Sequence, residues 1–287
     1  MTKNTKVSGM VVLYNPSDKV LDNIKLYINE VEKLYIVDNS EIVNRNVKVQ
    51  LKNNNNTEYI ELGENKGIAK ALNIGAHRAI QDGYKWILTM DQDSKPKDNM
   101  IDKMVDYIKN NDTNDVGIIS PYHLLDTTGF KNLDKDIHEP IRVMTSGNFL
   151  NLNIYKQLGG FMNELFIDSV DHEYCYKLKK NNYRIIRINE AILNHNLGED
   201  NRLINFLGKT LRIINHNYIR IYYMTRNELY VRKLYKKNIP RLYRNRYFYI
   251  MILIIRIIGW ENNKLKKIKY LIKGYIDSKH NKLGKIN

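Results

Sequence analysis

Residues Asp91-Gln92-Asp93-Ser94 put two carboxylates one position apart, directly after the apolar run WILTM. Carboxylate oxygens are hard donors, and Mg²⁺ is commonly held by one or two of them together with substrate phosphates. The pattern is half of a cation site for Mg²⁺ or Mn²⁺, which a nucleoside diphosphate would complete. Asp-x-Asp is also frequent in plain turns, and Ser94-Lys95-Pro96 suits one. Upstream, Asn65-Lys66-Gly67 leads into a helical pattern. Unpaired N–H groups at a helix start favour phosphate, although an ordinary Asn cap reads the same way.

A second acidic group lies in residues 164–178, ELFIDSVDHEYCYKL, where Asp168, Asp171 and Glu173 fall within six positions among apolar neighbours. Desolvation raises a carboxylate's pKa toward the range of a general base. A helix N-terminus also attracts acids through its dipole, so which of the three does chemistry stays open. His195, in LNHNLG, is a metal ligand only if Asp93 is near it. Arg220 and Arg226, in RIYYMTRN, suit bidentate contact with a diphosphate or a solvated helix face.

These residues need a frame. Short β-rich runs at residues 9–14, 34–37, 57–62, 86–90 and 116–120 alternate with helical patterns at 17–31, 67–82 and 98–110. That alternation predicts an α/β fold around a mostly parallel, Rossmann-like sheet flanked by helices. Ligands of such sheets bind beyond the carboxyl ends of the strands. Asn15, Asp38, Asp91 and Asp93 all fall at those ends.

Composition narrows the class. The chain has 287 residues, 43% of them hydrophobic, 46 Lys+Arg against 31 Asp+Glu, and one cysteine, Cys175. A disulfide scaffold and a cysteine-based zinc cluster are excluded. The N-terminal residues lack a signal-peptide pattern, and no apolar run reaches the ~18–20 residues of a spanning helix. The expected location is cytoplasmic. Residues 201–287 carry 21 Lys+Arg and three acids, a net +18, whereas residues 1–200 carry a net −3. The domain expectation follows: a near-neutral α/β body at 1–200, and a basic, aromatic-rich helical region at 201–287. Within that region YFYIMILIIRIIGW, residues 247–260, is flanked by Arg and Lys. This suits a helix lying on an anionic membrane surface, peripherally attached to the inner face of the cell membrane. A packing or homodimer helix is the alternative. No nucleic-acid-binding signature accompanies the charge.

The motifs YNP, DNS, GENKGIAKALNIGA, WILTMDQDS, TSGNF, LGGF, LFIDSVDHEYC, NHNLG and RIYYMTRN occur in one order. Together they resemble family 2 glycosyltransferases of the GT-A fold, and within them the bacterial rhamnosyltransferases that build capsule or O-antigen chains. The resemblance covers roughly residues 7–230 and implies that 1–200 is a nucleotide-sugar-binding and catalytic domain. It implies an inverting, metal-dependent transferase that moves a sugar from dTDP-rhamnose, or a UDP-sugar, to a lipid-linked oligosaccharide. It places Tyr14, Asn15, Asp38, Asn65, Gly67, Lys70, Asp91, Gln92 and Gly147 around the donor, and Arg226 at the leaving diphosphate. Asp93 would be the main metal ligand, aided by Asp91 and His195. Asp171 aligns with the catalytic base, but Val170 departs from the family's Glu-Asp pair and leaves Asp168 and Glu173 as rivals. A nucleotidyltransferase with a related sheet is the competing enzyme class. Against it, YNP stands where a Gly-rich, basic nucleotide loop would follow the first strand.

Overall fold

The structure, a computed structural model, describes residues 6–125, 136–195, 201–206 and 209–286, without the side chains of 125, 195, 201–206 and 209–214. The chain forms two units: Met1–Asn163 with Tyr174–Asn196, and Glu164–Glu173 with Leu197–Asn287. The acid-rich segment therefore groups with the C-terminal residues, not with the sheet that precedes it in sequence.

In the first unit the elements run β1 (Ser8–Leu13), α1 (Val20–Lys25), β2 (Lys33–Asp38), α2 (Arg45–Lys52), β3 (Thr57–Glu61), α3 (Ile68–Gln81), β4 (Trp86–Asp91), β5 (Ser94–Pro96) and α4 (Met100–Asn110). They continue with β6 (Val116–Leu125), β7 (Ile137–His138), β8 (Asn148–Asn151) and α5 (Leu152–Gln157). Helix α6 (Val170–Lys180) starts in the second unit's segment and ends in the first unit's, and β9 (Arg184–His195) follows it.

The sheet order is β3-β2-β1-β4-β8-β6-β9-β5, with β7 on β9. Strands β3, β2, β1 and β4 are parallel, as the alternating pattern predicts. The other half is mixed: β8 runs antiparallel between β4 and β6, and β5 and β7 run antiparallel to β9. The chain leaves β1 for β2 and β3 on one side and returns to β4 on the other. This makes the β1/β4 edge the switch point where such sheets bind ligands.

The core of this unit is sealed by Val11, Leu13, Leu34, Ile36 and Leu88 from the strands and by Met100, Ile101 and Met104 from α4. On the other face α3 lies close to the sheet because its inward residues are small. A Cβ at Gly75 would come within 2.7 Å of the Met10 sulfur.

The second unit contains a two-stranded antiparallel sheet, β10 (Asn201–Phe206) with β11 (Lys209–Ile214). It also holds α7 (Tyr218–Leu234), α8 (Pro240–Arg244), α9 (Arg246–Trp260) and α10 (Lys264–Lys279). Ile221, Leu253, Ile257 and Leu271 form the shared core of α7, α9 and α10. Among the described residues no helix is long and apolar enough to cross a membrane.

Candidate active site

At the switch point the loops are fastened by polar side chains acting on backbone. Tyr14 N–H donates to Gln92 Oε1 at 2.9 Å, and Gln92 Nε2 donates back to Tyr14 O at 3.3 Å. The Gln92 carbonyl in turn accepts from Asn23 Nδ2 at 2.9 Å. Gln92 thus ties the loop after β1 to the turn after β4. Asn15 is left-handed, with φ 45°, a conformation Asn tolerates better than most residues. Its N–H donates to Ser40 Oγ at 2.8 Å.

Asp38 was expected to face the donor, but it is fully buried. One carboxylate oxygen accepts from Ser40 N–H at 3.0 Å and the other from the Tyr59 hydroxyl. Burial and this bond push the Tyr59 phenol well above its usual pKa. Asp38 therefore shapes the loop after β2 from beneath. Its neighbour Asn39, which the motif reading passed over, carries the link onward. Asn39 Oδ1 accepts from Lys66 N–H at 2.8 Å, and its Nδ2 donates to Asn65 Oδ1 at 3.2 Å. Asn65 Oδ1 also accepts from Gly67 N–H at 3.0 Å. Gly67 has φ 84° and precedes α3 without a side-chain cap, and Lys70 is exposed in the first turn.

The Asp91-Gln92-Asp93 turn is held at both ends by Ser146, a buried residue that the reading of TSGNF overlooked in favour of Gly147. Ser146 Oγ accepts from Asp91 N–H at 3.0 Å and donates to Ser94 Oγ at 2.7 Å. Its carbonyl is bonded to His123 Nε2 at 2.7 Å. Gly147 is structural: its φ is 79°, and a Cβ would lie 2.8 Å from Pro121 and 2.9 Å from Leu193. With the turn so pinned, Asp91 is half-buried and Asp93 is exposed. The β5–β9 register sets His195 opposite Ser94, one position from Asp93. The His195 side chain lies outside the described residues.

Among the described residues no group of three or more His, Cys, Asp or Glu side chains is gathered for a metal. The turn does supply two carboxylates at a strand end. That donor set fits Mg²⁺ or Mn²⁺ that also takes oxygens from a diphosphate.

Elsewhere in this unit Asn73 of α3 organises the LGGF segment. Its Oδ1 accepts from Phe161 N–H at 3.0 Å and from the Tyr155 hydroxyl. Its Nδ2 donates to Phe161 O at 2.9 Å and Asn163 Oδ1 at 2.7 Å. The signal available in the sequence was a lone amide between the apolar positions Leu72 and Ala76.

The acid-rich segment of the second unit is built differently. Phe166, Asp168 and Ser169 all have positive φ, of 67°, 62° and 61°. Such backbone costs on the order of 1 kcal/mol or more per residue and persists only where its surroundings enforce it. Helix α7 provides that enforcement. Asn227 Nδ2 donates to three carbonyls, Leu165 O at 2.8 Å, Ile167 O at 2.6 Å and Asp168 O at 3.0 Å.

Arg226 does not have the position expected of a diphosphate ligand. It is 1% exposed. Its guanidinium donates to Leu165 O at 3.2 Å and Gly284 O at 2.7 Å, and it lies over the rings of Tyr222 and Tyr223. Burying a cation requires full hydrogen bonding, and here backbone carbonyls supply it together with Asn227 Oδ1, which accepts from Arg226 Nε at 2.8 Å. Residues 284–286 close the same cluster: Gly284 N–H donates to Glu164 O at 2.7 Å, and Ile286 N–H to the Tyr223 hydroxyl at 2.7 Å.

The three candidate bases have separate environments. Glu173 is fully buried and accepts from the Tyr235 hydroxyl at 2.7 Å. Closed off from solvent in this way, the carboxylate is placed to anchor Tyr235. Asp168 has an exposed edge, and its Oδ1 meets Arg220 at 3.3 Å. Its Oδ2 is buried and has no hydrogen-bond partner among the described residues. Burial lifts the Asp168 carboxyl above its ordinary pKa, with Arg220 opposing. Asp171, in the first turn of α6, is half-buried and accepts from His172 N–H at 2.8 Å.

Beside them Glu228 of α7 is buried. It accepts from Ser169 Oγ at 3.2 Å, His172 Nδ1 at 3.4 Å and Arg232 Nε at 2.8 Å. Burial alone would raise its pKa; His172 and Arg232 override it and bring the carboxyl down to about 2.

The comparisons with known proteins agree with this architecture. The profile of the family described as Glycosyl transferase family 2 matches residues 10–168. The chain is 27% identical over 289 aligned positions to the dTDP-rhamnosyl transferase RfbF of Shigella flexneri, covering 96% of this chain and 95% of that one. Among solved structures, S. aureus TarS 1-349 in complex with UDP-GlcNAc superposes with a TM-score of 0.63 at 14% identity, over 95% of this chain and 81% of that one. GalNAc-T7 with UDP, GalNAc and Mn²⁺ gives a TM-score of 0.63 at 12% identity. The match covers 97% of this chain but spans only 56% of the GalNAc-T7 chain.

Proposed function

The chain belongs to glycosyl transferase family 2 and has a GT-A fold, and on that premise we propose that it transfers a rhamnosyl group from dTDP-rhamnose to a hydroxyl of a lipid-linked glycan. The near full-length likeness to a dTDP-rhamnosyl transferase carries this choice of donor. A role in building a bacterial surface polysaccharide follows from the same likeness.

Asp93 and Asp91 would hold a divalent cation, with His195 as a further ligand. When bound, that cation neutralises charge building on the donor diphosphate. Tyr14, Asn15, Asn65 and the uncapped start of α3 line the nucleotide's side of the sheet edge. Gln92, Asp38 and Ser146 keep those groups in place. Asp171 takes the proton of the acceptor hydroxyl while the oxygen forms its bond to the anomeric carbon. The bond from that carbon to the diphosphate breaks, and its electron pair leaves with dTDP. One displacement from the face opposite the leaving group inverts the anomeric centre. Asp168, with its raised pKa, is the second candidate for the proton.

The test is a donor panel of dTDP-rhamnose, UDP-glucose and UDP-GlcNAc, each with Mg²⁺, Mn²⁺ or chelator. Metal-dependent release of dTDP from dTDP-rhamnose alone, with rhamnose gained by a lipid-linked acceptor, is the expected result. Equal turnover of UDP-GlcNAc, or release of pyrophosphate, overturns the reading.

A further inference from the structure

We propose that the outer face of α9 is a docking surface for an anionic lipid bilayer, with the helix lying in the plane of the headgroups. The inference goes beyond sugar transfer and does not depend on which donor is used.

Helix α9 is apolar on two sides. Leu253 and Ile257 face inward and join the core with Ile221 and Leu271. Tyr247, Phe248, Met251, Ile252, Ile255 and Ile258 recur at helical spacing on the other side and are each 45–59% exposed. A helix hydrophobic all round belongs in a larger core or in lipid. At 15 residues it spans ~22 Å, short of the ~30 Å hydrocarbon core, so it suits the interface and not a crossing.

Electrostatics selects the occupant. Arg256, the one charge between Arg246 and Trp260, donates to Glu261 Oε1 at 3.0 Å, a carboxylate it shares with Lys267. All three acids of residues 201–287 are internal. Glu228 is engaged by Arg232, Glu261 by Arg256 and Lys267, and Asp277 by the Tyr222 hydroxyl. What this region shows to solvent is therefore basic alone. Arg241 and Arg244 are exposed just before α9, and Lys264, Lys266 and Lys269 just after it, around a Leu265 that is almost wholly exposed. An apolar strip bounded by uncompensated cations complements anionic headgroups over an acyl boundary. A second copy of the chain would bring the same positive charge against it, which argues against a dimer on this face.

The test uses the full chain and sedimentation with vesicles of phosphatidylcholine, or of phosphatidylcholine mixed with phosphatidylglycerol. The mixed vesicles should bind at least about tenfold more tightly, and raised salt should weaken that binding. Trp260 sits at the end of α9 while Trp86 is buried in the sheet, so a blue shift in emission on binding reports Trp260. The triple variant Phe248→Ser, Ile252→Ser, Ile255→Ser should keep its circular dichroism and melting midpoint yet lose at least about tenfold in vesicle affinity. Wild-type binding by the triple variant overturns the proposal. So does equal binding to both vesicle types. So does a wild-type dimer that the triple variant dissociates, in the absence of vesicle binding.

Discussion

The donor-side edge of the sheet and the acid-rich segment of the second unit both present carboxylates, but they are held in opposite ways. At the sheet edge the strands fix the geometry. Parallel register sets Val12 beside Asp91 and Leu13 beside Asp38, and neutral side chains such as Gln92, Asn39 and Ser146 join the loop ends. In the acid-rich segment the backbone is strained, and buried residues of one helix hold it: Arg226, Asn227 and Glu228, the last fixed in turn by Arg232. The first arrangement depends on sheet formation and tolerates loss of single side chains. The second depends on a few polar groups, each of which is costly to remove.

Variants can break or sharpen this contrast. The largest effect is expected for Asp171→Asn, which should lower kcat by about 10²–10⁴-fold while leaving the donor Kd unchanged, as loss of a general base does. Full activity in that variant, measured by dTDP release, moves the proton to Asp168.

Next is Glu228→Gln. It strips buried Arg232 of its carboxylate and should cost on the order of 3 kcal/mol at neutral pH. The Glu228 pKa is depressed in the fold, so its contribution is present above the unfolded value near 4.5 and fades as pH falls toward about 2. Denaturant melts of wild type and variant should therefore converge in acid. A gap independent of pH would contradict the charge network.

Asn227→Ala should cost about 2 kcal/mol by removing the donor shared by three carbonyls, of which Leu165 O keeps its bond from Arg226. It should also reduce kcat with little change in donor affinity. Ser146→Ala should do the reverse: about 1 kcal/mol in stability from two lost hydrogen bonds, and a raised donor KM as the Asp91 turn loosens. If both variants shift KM and kcat alike, the two regions are not separable as argued.

The smallest effect is expected for Asp168→Asn. Its raised pKa means the ionised form is penalised in the fold, so stability falls as pH rises from the unfolded value through the folded one. The variant should melt like wild type near pH 4 and higher than wild type at neutral pH.

The same contrast explains what the sequence disclosed. The parallel strands were legible because buried β-rich runs alternate with helical patterns, and the polar residues closing those runs marked the ligand edge. Strand β8 was not: NFLN is four residues long and offers no period. Ser146 and Asn73 were hidden because a small polar residue reads as a turn former until its partners are known. In α7 the ordinary signal fails. Arg226, Asn227, Glu228 and Arg232 are all inside, so the charged positions that normally mark the solvent face here mark the packed one. Arg226 consequently read as an anion ligand when it is an internal clasp. Asp168, Asp171 and Glu173 were recognisable as a set but not as individuals. Their differences come from Tyr235, Arg220 and α7, more than fifty positions away.

The clasp formed by residues 284–286 has a practical bearing on anyone expressing this protein. Gly284 reaches both the Arg226 guanidinium and the Glu164 carbonyl, so residues 284–286 are woven into the support of the acid-rich segment. Shortening the gene before codon 284 removes a brace that bonds that segment directly at the Glu164 carbonyl.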